Sequence, residues 1–187
     1  MKSLCSKKML ALPFAGGIGL VLLGTAAVAN PLILDWRVIG TGPVAVSSTC
    51  EMSFASGCTS TSTGTVLGQH VGSGTYSLSL TTGNDGSSNY ATNSSGGKCI
   101  PANGTNTTTT VNDVVAASGD IIYFNTVGWL CEEGASGSPY HYNGTYRITG
   151  GTGRFSNVVG GGSLTATFEK GGLVNNTYMK IDGTINF

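Results

Sequence analysis

The chain has 187 residues, and its nine Lys and Arg residues balance its nine Asp and Glu residues. Charged residues make up only 10% of the chain, whereas 30 residues are glycine. Without excess positive charge there is no electrostatic basis for binding nucleic acid or anionic lipid, so we expect no nucleic-acid partner. The abundance of Gly, Ser, Thr and Asn is typical of secreted β proteins and disfavours helices.

The N-terminus has the pattern of a secretory signal peptide at residues 1–29. Three lysines and no acid precede an apolar stretch at residues 9–23, and Ala27 and Ala29 supply the small side chains that signal peptidase requires. We expect cleavage after Ala29, which leaves one domain at residues 30–187. The same apolar stretch acting as a membrane anchor is the alternative. Cleavage removes the three lysines, so the mature chain has a net charge of −3.

The mature chain contains four cysteines, an even number in an exported protein. This count predicts two disulfides and a secreted or periplasmic location. Three pairings exist, and we favour Cys50–Cys58 together with Cys99–Cys131, with free buried thiols as the alternative. Their spacing matches neither a zinc knuckle nor a CxxC redox motif, so the sequence predicts no metal site and no cofactor.

Alternation of apolar and polar residues with a period of two is the main structural signal after the signal peptide. It predicts five clear strands, at residues 32–39, 72–81, 139–149, 162–169 and 176–187. Weaker strands are expected at residues 44–54 and 62–67. Residues 82–107, which follow the strand predicted at residues 72–81, are rich in Gly, Ser and Asn, and we expect them to form a long polar loop.

Residues 121–131 differ because apolar side chains occupy both faces of the predicted strand, Val127 and Trp129 among them. Such a strand is either central or covered from outside. We expect it to pair with residues 108–117 through a tight turn at residues 118–120. About eight short strands without a helix predict an all-β fold, an eight-stranded antiparallel up-and-down barrel, with a two-layer sandwich as the alternative.

The most distinctive segment is the glycine cluster at residues 148–162. Gly150, Gly151 and Gly153 permit positive φ, so the chain can turn sharply there. Phe155 can then enter the core as an anchor, which makes the cluster a structural turn. A phosphate-binding loop is disfavoured because the glycines lead into a strand rather than a helix and no Lys-Ser or Lys-Thr follows them.

The glycine cluster resembles the allene oxide cyclase and dirigent-like barrel superfamily, in particular its small secreted bacterial members. The resemblance lies in the run Gly-Gly-Thr-Gly-Arg-Phe, which is followed by a short loop and then by an alternating strand. The resemblance is sharpest over residues 140–168, and residues 70–76 and 119–120 fit the same layout. It implies an eight-stranded antiparallel barrel with a largely apolar interior. Members of known activity steer cyclisation or radical coupling of hydrophobic small molecules. The catalytic residues of the plant enzymes have no matching positions here, so no active-site residue is carried over.

Aromatic side chains on the apolar faces provide the candidate ligand site. An eight-stranded barrel is wide enough to hold one small ligand if its interior contains an apolar cavity. His70 lies an even number of positions before the inward residues of the next strand. We therefore expect its side chain to face inward at the mouth of the barrel. The candidate ligand-binding residues are Trp36, His70, Tyr76, Tyr140, Tyr142 and Tyr146. Simple core packing is the alternative explanation of the aromatic residues.

These patterns favour an exported binding barrel over an enzyme, with a small hydrophobic molecule as the expected partner and self-association into a homo-oligomer left open. The chain has only two histidines, and the adjacent Glu132 and Glu133 point to opposite faces of a strand, so catalytic residues are unknown. One alternative is a dirigent-like or cyclase-like enzyme that acts on an apolar substrate. Others are a structural surface protein and an outer-membrane barrel, since the chain ends in Phe187 after alternating apolar residues.

Overall fold

A computed structural model of the chain describes residues 32–46, 57–83, 91–134, 139–169 and 176–187. The predicted signal peptide and Cys50 lie outside these residues, as does most of the weak strand predicted at residues 44–54. Within the described ranges, no helix has the length and apolar character needed to cross a membrane.

Strands account for nearly all of the regular structure. In chain order they are β1 (Ile33–Val46), β2 (Thr59–Gly68), β3 (Gly72–Thr82), β4 (Ala91–Thr92), β5 (Lys98–Gly104), β6 (Asp113–Val115), β7 (Ile121–Glu132), β8 (Tyr140–Gly151), β9 (Val159–Glu169) and β10 (Asn176–Asn186). One 3₁₀ helix, Gly153–Phe155, lies between β8 and β9. Burial alternates along the strands as the sequence pattern requires: in β1, Trp36 and Val38 are buried, whereas Arg37 and Ile39 are exposed.

The strands close into an antiparallel barrel in which neighbours in sequence are neighbours in space. β1 pairs with both β2 and β10, and the pairs β2–β3, β7–β8, β8–β9 and β9–β10 complete most of the wall. β5 and β6 both lie between β3 and β7, so together they fill a single position. The two-residue β4 pairs with β5 alone. The barrel has eight positions, which confirms the predicted eight-stranded up-and-down fold.

The shared position of β5 and β6 is interrupted where residues 105–112 leave the wall. Asn112 is fully buried at the point where the chain returns. Its side-chain Oδ1 accepts a hydrogen bond from the Ser79 backbone N–H at 2.7 Å, and its backbone oxygen accepts one from Phe124 N at 3.1 Å. The Asn112 side chain therefore accepts the hydrogen bond that a backbone carbonyl would accept if the strand were continuous. The strand predicted at residues 108–117 shrinks to β6 for this reason.

β1 is one continuous strand, whereas the sequence pattern predicted two strands separated at residues 40–43. The apparent break contains Gly40, which pairs with Val66 of β2. A side chain at Gly40 would lie 3.1 Å from the Tyr76 ring. The glycine is needed for close packing inside the barrel rather than for a turn.

The prediction that residues 82–107 form one polar loop was wrong for β5. Cys99 of β5 lies directly opposite Cys131 of β7, with their Cα atoms 4.0 Å apart, and the two form a disulfide. This confirms the predicted Cys99–Cys131 bond. The pairing of Cys58 with Cys50 stays a prediction, since Cys50 lies outside the described residues.

The barrel has two unlike ends, named here by the phenylalanines inside them. At the Phe155 end, where β1 begins, the 3₁₀ helix places the fully buried Phe155 ring 5.9 Å from the Phe187 ring. At the Phe168 end, where β1 ends, Tyr140 of β8 pairs with Phe168 of β9. Between the ends, one continuous core of aromatic and aliphatic side chains fills the interior.

Candidate functional site

Trp36 and Tyr146 occupy one rung of the barrel wall, separated by two glycines. Trp36 pairs with Gly183, Gly183 pairs with Gly162, and Gly162 pairs with Tyr146. The two aromatic rings meet edge to face over these glycines, with their centroids 5.5 Å apart. A Cβ atom at Gly183 would lie 2.6 Å from the Tyr146 hydroxyl. The space left open by the glycines is therefore filled by aromatic side chains.

Two of the other tyrosines hydrogen-bond inside the barrel. The Thr126 hydroxyl donates to the Thr145 carbonyl at 2.8 Å, so the Tyr142 hydroxyl, also 2.8 Å away, donates to Thr126. In the same way, Ser62 donates to a backbone carbonyl, and the Tyr76 hydroxyl donates to Ser62 at 2.7 Å. These two rings are fixed in place by packing and by a directed hydrogen bond.

The Trp36–Tyr146 pair has no such polar partner. Trp36 Nε1 and the Tyr146 hydroxyl are both buried, and neither has a hydrogen-bond partner among the described residues. Buried polar groups are nearly always paired, so two such atoms in side chains that touch are unusual. Asn112 Nδ2 and the Thr177 hydroxyl are also buried without a partner in the described part of the chain. A bound molecule with acceptor atoms could satisfy such donors.

The tyrosine hydroxyls are not placed to act as bases. Burial raises the pKa of Tyr142 to about 12, despite its hydrogen bond to Thr126. Burial, with a smaller contribution from the charge of Asp182, raises the pKa of Tyr146 further above its ordinary value. Apart from tyrosine, the buried polar side chains of the described residues belong to Ser, Thr and Asn. The described interior therefore contains no acid–base pair.

The Phe168 end carries a small apolar indentation. Leu80, Leu130 and Phe168 line it together with Ser60 and Thr82. Its volume is about 10 Å³, which is room for a single water molecule. Ligand pockets are far larger, on the order of 300–1,000 Å³, so this indentation could take only the tip of a ligand.

Tyr140 and His70 lie away from the central rung. Tyr140 is buried at the Phe168 end, where burial, followed by the nearby Glu132 charge, raises its pKa. His70 was expected to face inward, but it is exposed in the turn between β2 and β3, with φ at 63°. The alternation of β3 does not extend to His70 because that strand begins at Gly72. Its ring lies 6.3 Å from the Phe187 ring, at the Phe155 end.

The glycine cluster closes the Phe155 end. Gly153 has φ at 54° and lies so close to Asp120 that a side chain there would collide with the carboxylate. Gly150 also has positive φ, at 154°, whereas Gly151 does not. The Arg154 guanidinium lies 4.7 Å from the Phe155 ring centroid and 3.5 Å from the Asp120 carboxylate. Phe155 is thereby held inside the barrel beneath a charged pair.

The outer face of β7 carries a second group of aromatic and apolar side chains, exposed to solvent. Trp129 is 44% exposed and Val127 is 57% exposed. They lie in a shallow groove of about 450 Å³ between β5 and β8. We call this region the Trp129 wall; it consists of the buried Pro101, the half-buried Asn103 and the exposed Val127, Trp129, Asn143, Thr145, Ser163 and Thr165. Sequence reasoning missed it as a site, although the apolar second face of residues 121–131 was its signal.

A contact between a histidine and a glutamate lies on the same side of the barrel, beyond the wall. His141 Nε2 is 3.4 Å from the Glu133 carboxylate, and the other ring nitrogen of His141 is 3.2 Å from the Thr167 hydroxyl. Both side chains are well exposed to solvent. In the described part of the chain, no group of three or more His, Cys, Asp or Glu side chains could hold a metal ion.

Comparison of the chain with protein-family models, with curated proteins and with solved structures finds no match in any of the three. The resemblance of the glycine cluster to allene oxide cyclase and dirigent-like barrels therefore stays a prediction.

Proposed function

We propose that this chain is an exported, non-catalytic β-barrel protein that binds its ligand on the Trp129 wall and uses the packed barrel as a rigid scaffold. The exposed Trp129 carries the proposal, because its indole lies in an open groove while the interior aromatics pack against one another. Tryptophan offers a large apolar surface with one hydrogen-bond donor and is enriched among the residues that dominate binding.

Two independent features support export. The N-terminal sequence has the lysines, apolar stretch and small residues of a signal peptide. The Cys99–Cys131 disulfide is compatible with an oxidising compartment outside the cytoplasm. Exposed polar residues such as Asn143 and Thr145 on the outer wall support a barrel that faces water rather than lipid.

We also propose kinship in fold with the allene oxide cyclase and dirigent-like barrels, supported by the glycine-rich turn that leads to Phe155. Dirigent-like or cyclase-like activity would require a cavity for an apolar substrate. The described interior is packed, its indentation holds about one water, and its tyrosines are protonated at physiological pH. A binding role is therefore better supported than an enzymatic one.

Binding of a small hydrophobic molecule inside the barrel is the second candidate function. Trp36 Nε1 and the Tyr146 hydroxyl, which have no partner among the described residues, favour it, because acceptor atoms of a ligand could bond to these donors. Such a ligand would have to displace core side chains. Native mass spectrometry of the purified secreted chain tests this candidate. A co-purifying molecule that the Tyr146→Phe variant loses would support it, whereas an empty barrel that a lipophilic library leaves unstabilised would count against it.

Co-sedimentation with insoluble cell-envelope material of the source organism tests the proposed wall. We expect the purified secreted chain to sediment, and Trp129→Ala to remain in the supernatant. Tyr178→Ala is the matched control, because Tyr178 is an aromatic residue of β10 with 51% exposure outside the wall. Failure of the unmodified chain to sediment, or equal sedimentation of Trp129→Ala, would overturn the proposal.

A further inference from the structure

The Trp129 wall is an ordered array of two rows across four strands. Cross-strand pairing places Trp129 between Pro101 of β5 and Asn143 of β8, and Asn143 pairs in turn with Thr165 of β9. The second row, one pleat along, contains Asn103, Val127, Thr145 and Ser163. With strands about 4.8 Å apart, the array is about 14 Å wide. That width suits a chain of two or three sugar rings better than a single small molecule.

None of these eight side chains carries a charge. Asn103, Asn143, Thr145, Ser163 and Thr165 supply amides and hydroxyls that both donate and accept hydrogen bonds. Charged groups lie at the border of the array: on β10, Lys180 pairs with Thr165 and Asp182 with Ser163, and on β8 the exposed Arg147 lies two residues beyond Thr145. The Asp182 carboxylate lies 3.0 Å from Lys180 and 3.1 Å from Arg37, so all three charges lie outside the array. The wall therefore suits a neutral ligand that is rich in hydroxyl groups.

We propose that the Trp129 wall binds a neutral carbohydrate, with one sugar ring stacked on the Trp129 indole and neighbouring hydroxyls bonded to Asn103, Asn143 and Thr145. A pyranose ring presents C–H bonds on one face and hydroxyl groups around its edge. An exposed indole flanked by amides and hydroxyls matches both features. This inference rests on the proposed function, since it names the ligand class of the same wall.

The composition of the wall disfavours other partners. Nucleic acids and anionic polymers require positive charge, and the array has none. The core of a protein interface is usually a cluster of large apolar side chains. Here Val127 and Trp129 are the only strongly exposed apolar residues of the array, and polar side chains flank them on β8 and β9.

Titration calorimetry of the purified secreted chain with soluble neutral oligosaccharides tests the inference. The panel contains glucose, xylose, mannose and N-acetylglucosamine oligomers, with oligogalacturonate as the charged comparison. We expect at least one neutral oligomer to bind, and Trp129→Ala to weaken binding at least about tenfold. Asn143→Ala should weaken it less, and Tyr178→Ala should leave it unchanged. Because Trp36 is fully buried, a shift of tryptophan emission on binding would arise from Trp129.

Several outcomes would overturn the carbohydrate inference: no neutral oligomer binds, only oligogalacturonate binds, or Trp129→Ala binds as well as the unmodified chain. A concentration-dependent dimer that Trp129→Ala abolishes would assign the wall to a second copy of the chain instead. If the oligosaccharides fail while envelope sedimentation still depends on Trp129, the carbohydrate inference falls and the proposed function stands. If oligosaccharide binding and Trp129-dependent sedimentation both fail, the carbohydrate inference and the proposed function are both overturned.

Discussion

Replacing Tyr142 and Tyr146 by phenylalanine, one at a time, tests whether the barrel interior is a dry packed core. Each change removes one buried hydroxyl and keeps the ring. The two hydroxyls differ in one respect: that of Tyr142 donates to Thr126, whereas that of Tyr146 has no partner among the described residues. The two variants should therefore change the free energy of unfolding in opposite directions.

The expected magnitudes follow from these contacts. Tyr142→Phe loses one hydrogen bond, whereas Thr126 keeps its bond to the Thr145 carbonyl and is not left unpaired. This change should therefore lower the free energy of unfolding by only about 1 kcal/mol. Tyr146 is 4% exposed, and its buried hydroxyl has no partner among the described residues, so Tyr146→Phe should stabilise the protein by about 1–3 kcal/mol. In a protein of this size, 1 kcal/mol corresponds to a shift in Tm of about 2–4 °C.

Urea unfolding monitored by circular dichroism measures both changes, provided that the m-value stays the same in all variants. Tyr178→Phe is the matched control, because its ring lies on the outer surface and its loss of a hydroxyl should have little effect. If Tyr146→Phe destabilises the protein as much as Tyr142→Phe, the Tyr146 hydroxyl has a partner in solution. The dry-core reasoning would then be wrong, and a molecule bound inside the barrel would become the better explanation.

Three further predictions follow from the barrel. Gly183→Ala should lower the free energy of unfolding by about 1–3 kcal/mol, because the added methyl group would meet the Tyr146 hydroxyl and the neighbouring backbone; an unchanged urea midpoint would contradict this packing. Converting Cys99 and Cys131 together to serine should lower it by about 3–4 kcal/mol, since the bond joins residues 32 apart; a much smaller loss would mean that the reduced chain is already constrained. Stability should fall as the pH rises from about 10 to about 12, because folding raises the pKa of Tyr142 and so disfavours its ionisation; urea unfolding across that range, compared with Tyr142→Phe, checks the slope.

The fold class could be predicted because alternation survives in most of the wall. In β8 the buried Tyr140, Tyr142 and Tyr146 alternate with exposed or half-buried polar residues, and this pattern alone identifies a strand with one face inside. β5 could not be predicted in this way. It contains a proline and ends in a glycine, residues that usually interrupt strands, and it is held in the wall by pairing with β7 and by a disulfide.

The identity of the inward aromatics could also be predicted, but not the way in which they fill the barrel. Trp36 and Tyr146 meet because Gly183 and Gly162, distant in sequence, fall on the same rung of the wall. That coincidence depends on the register of three strand pairs, which a single sequence does not reveal. A cavity and a packed core therefore give the same alternating pattern, and only the position of the glycines distinguishes them.

The outer face of β7 shows how closure of the barrel changes the meaning of a sequence pattern. A strand of a closed barrel has one inside face, and Phe124 and Thr126 already occupy that face in β7. Val127 and Trp129 are left exposed on the outer wall. In an open central strand the same two residues would have joined a second core. The described part of the barrel has no second core to bury Val127 and Trp129, so their contribution to folding is small. A role in binding therefore explains these residues better than a role in stability.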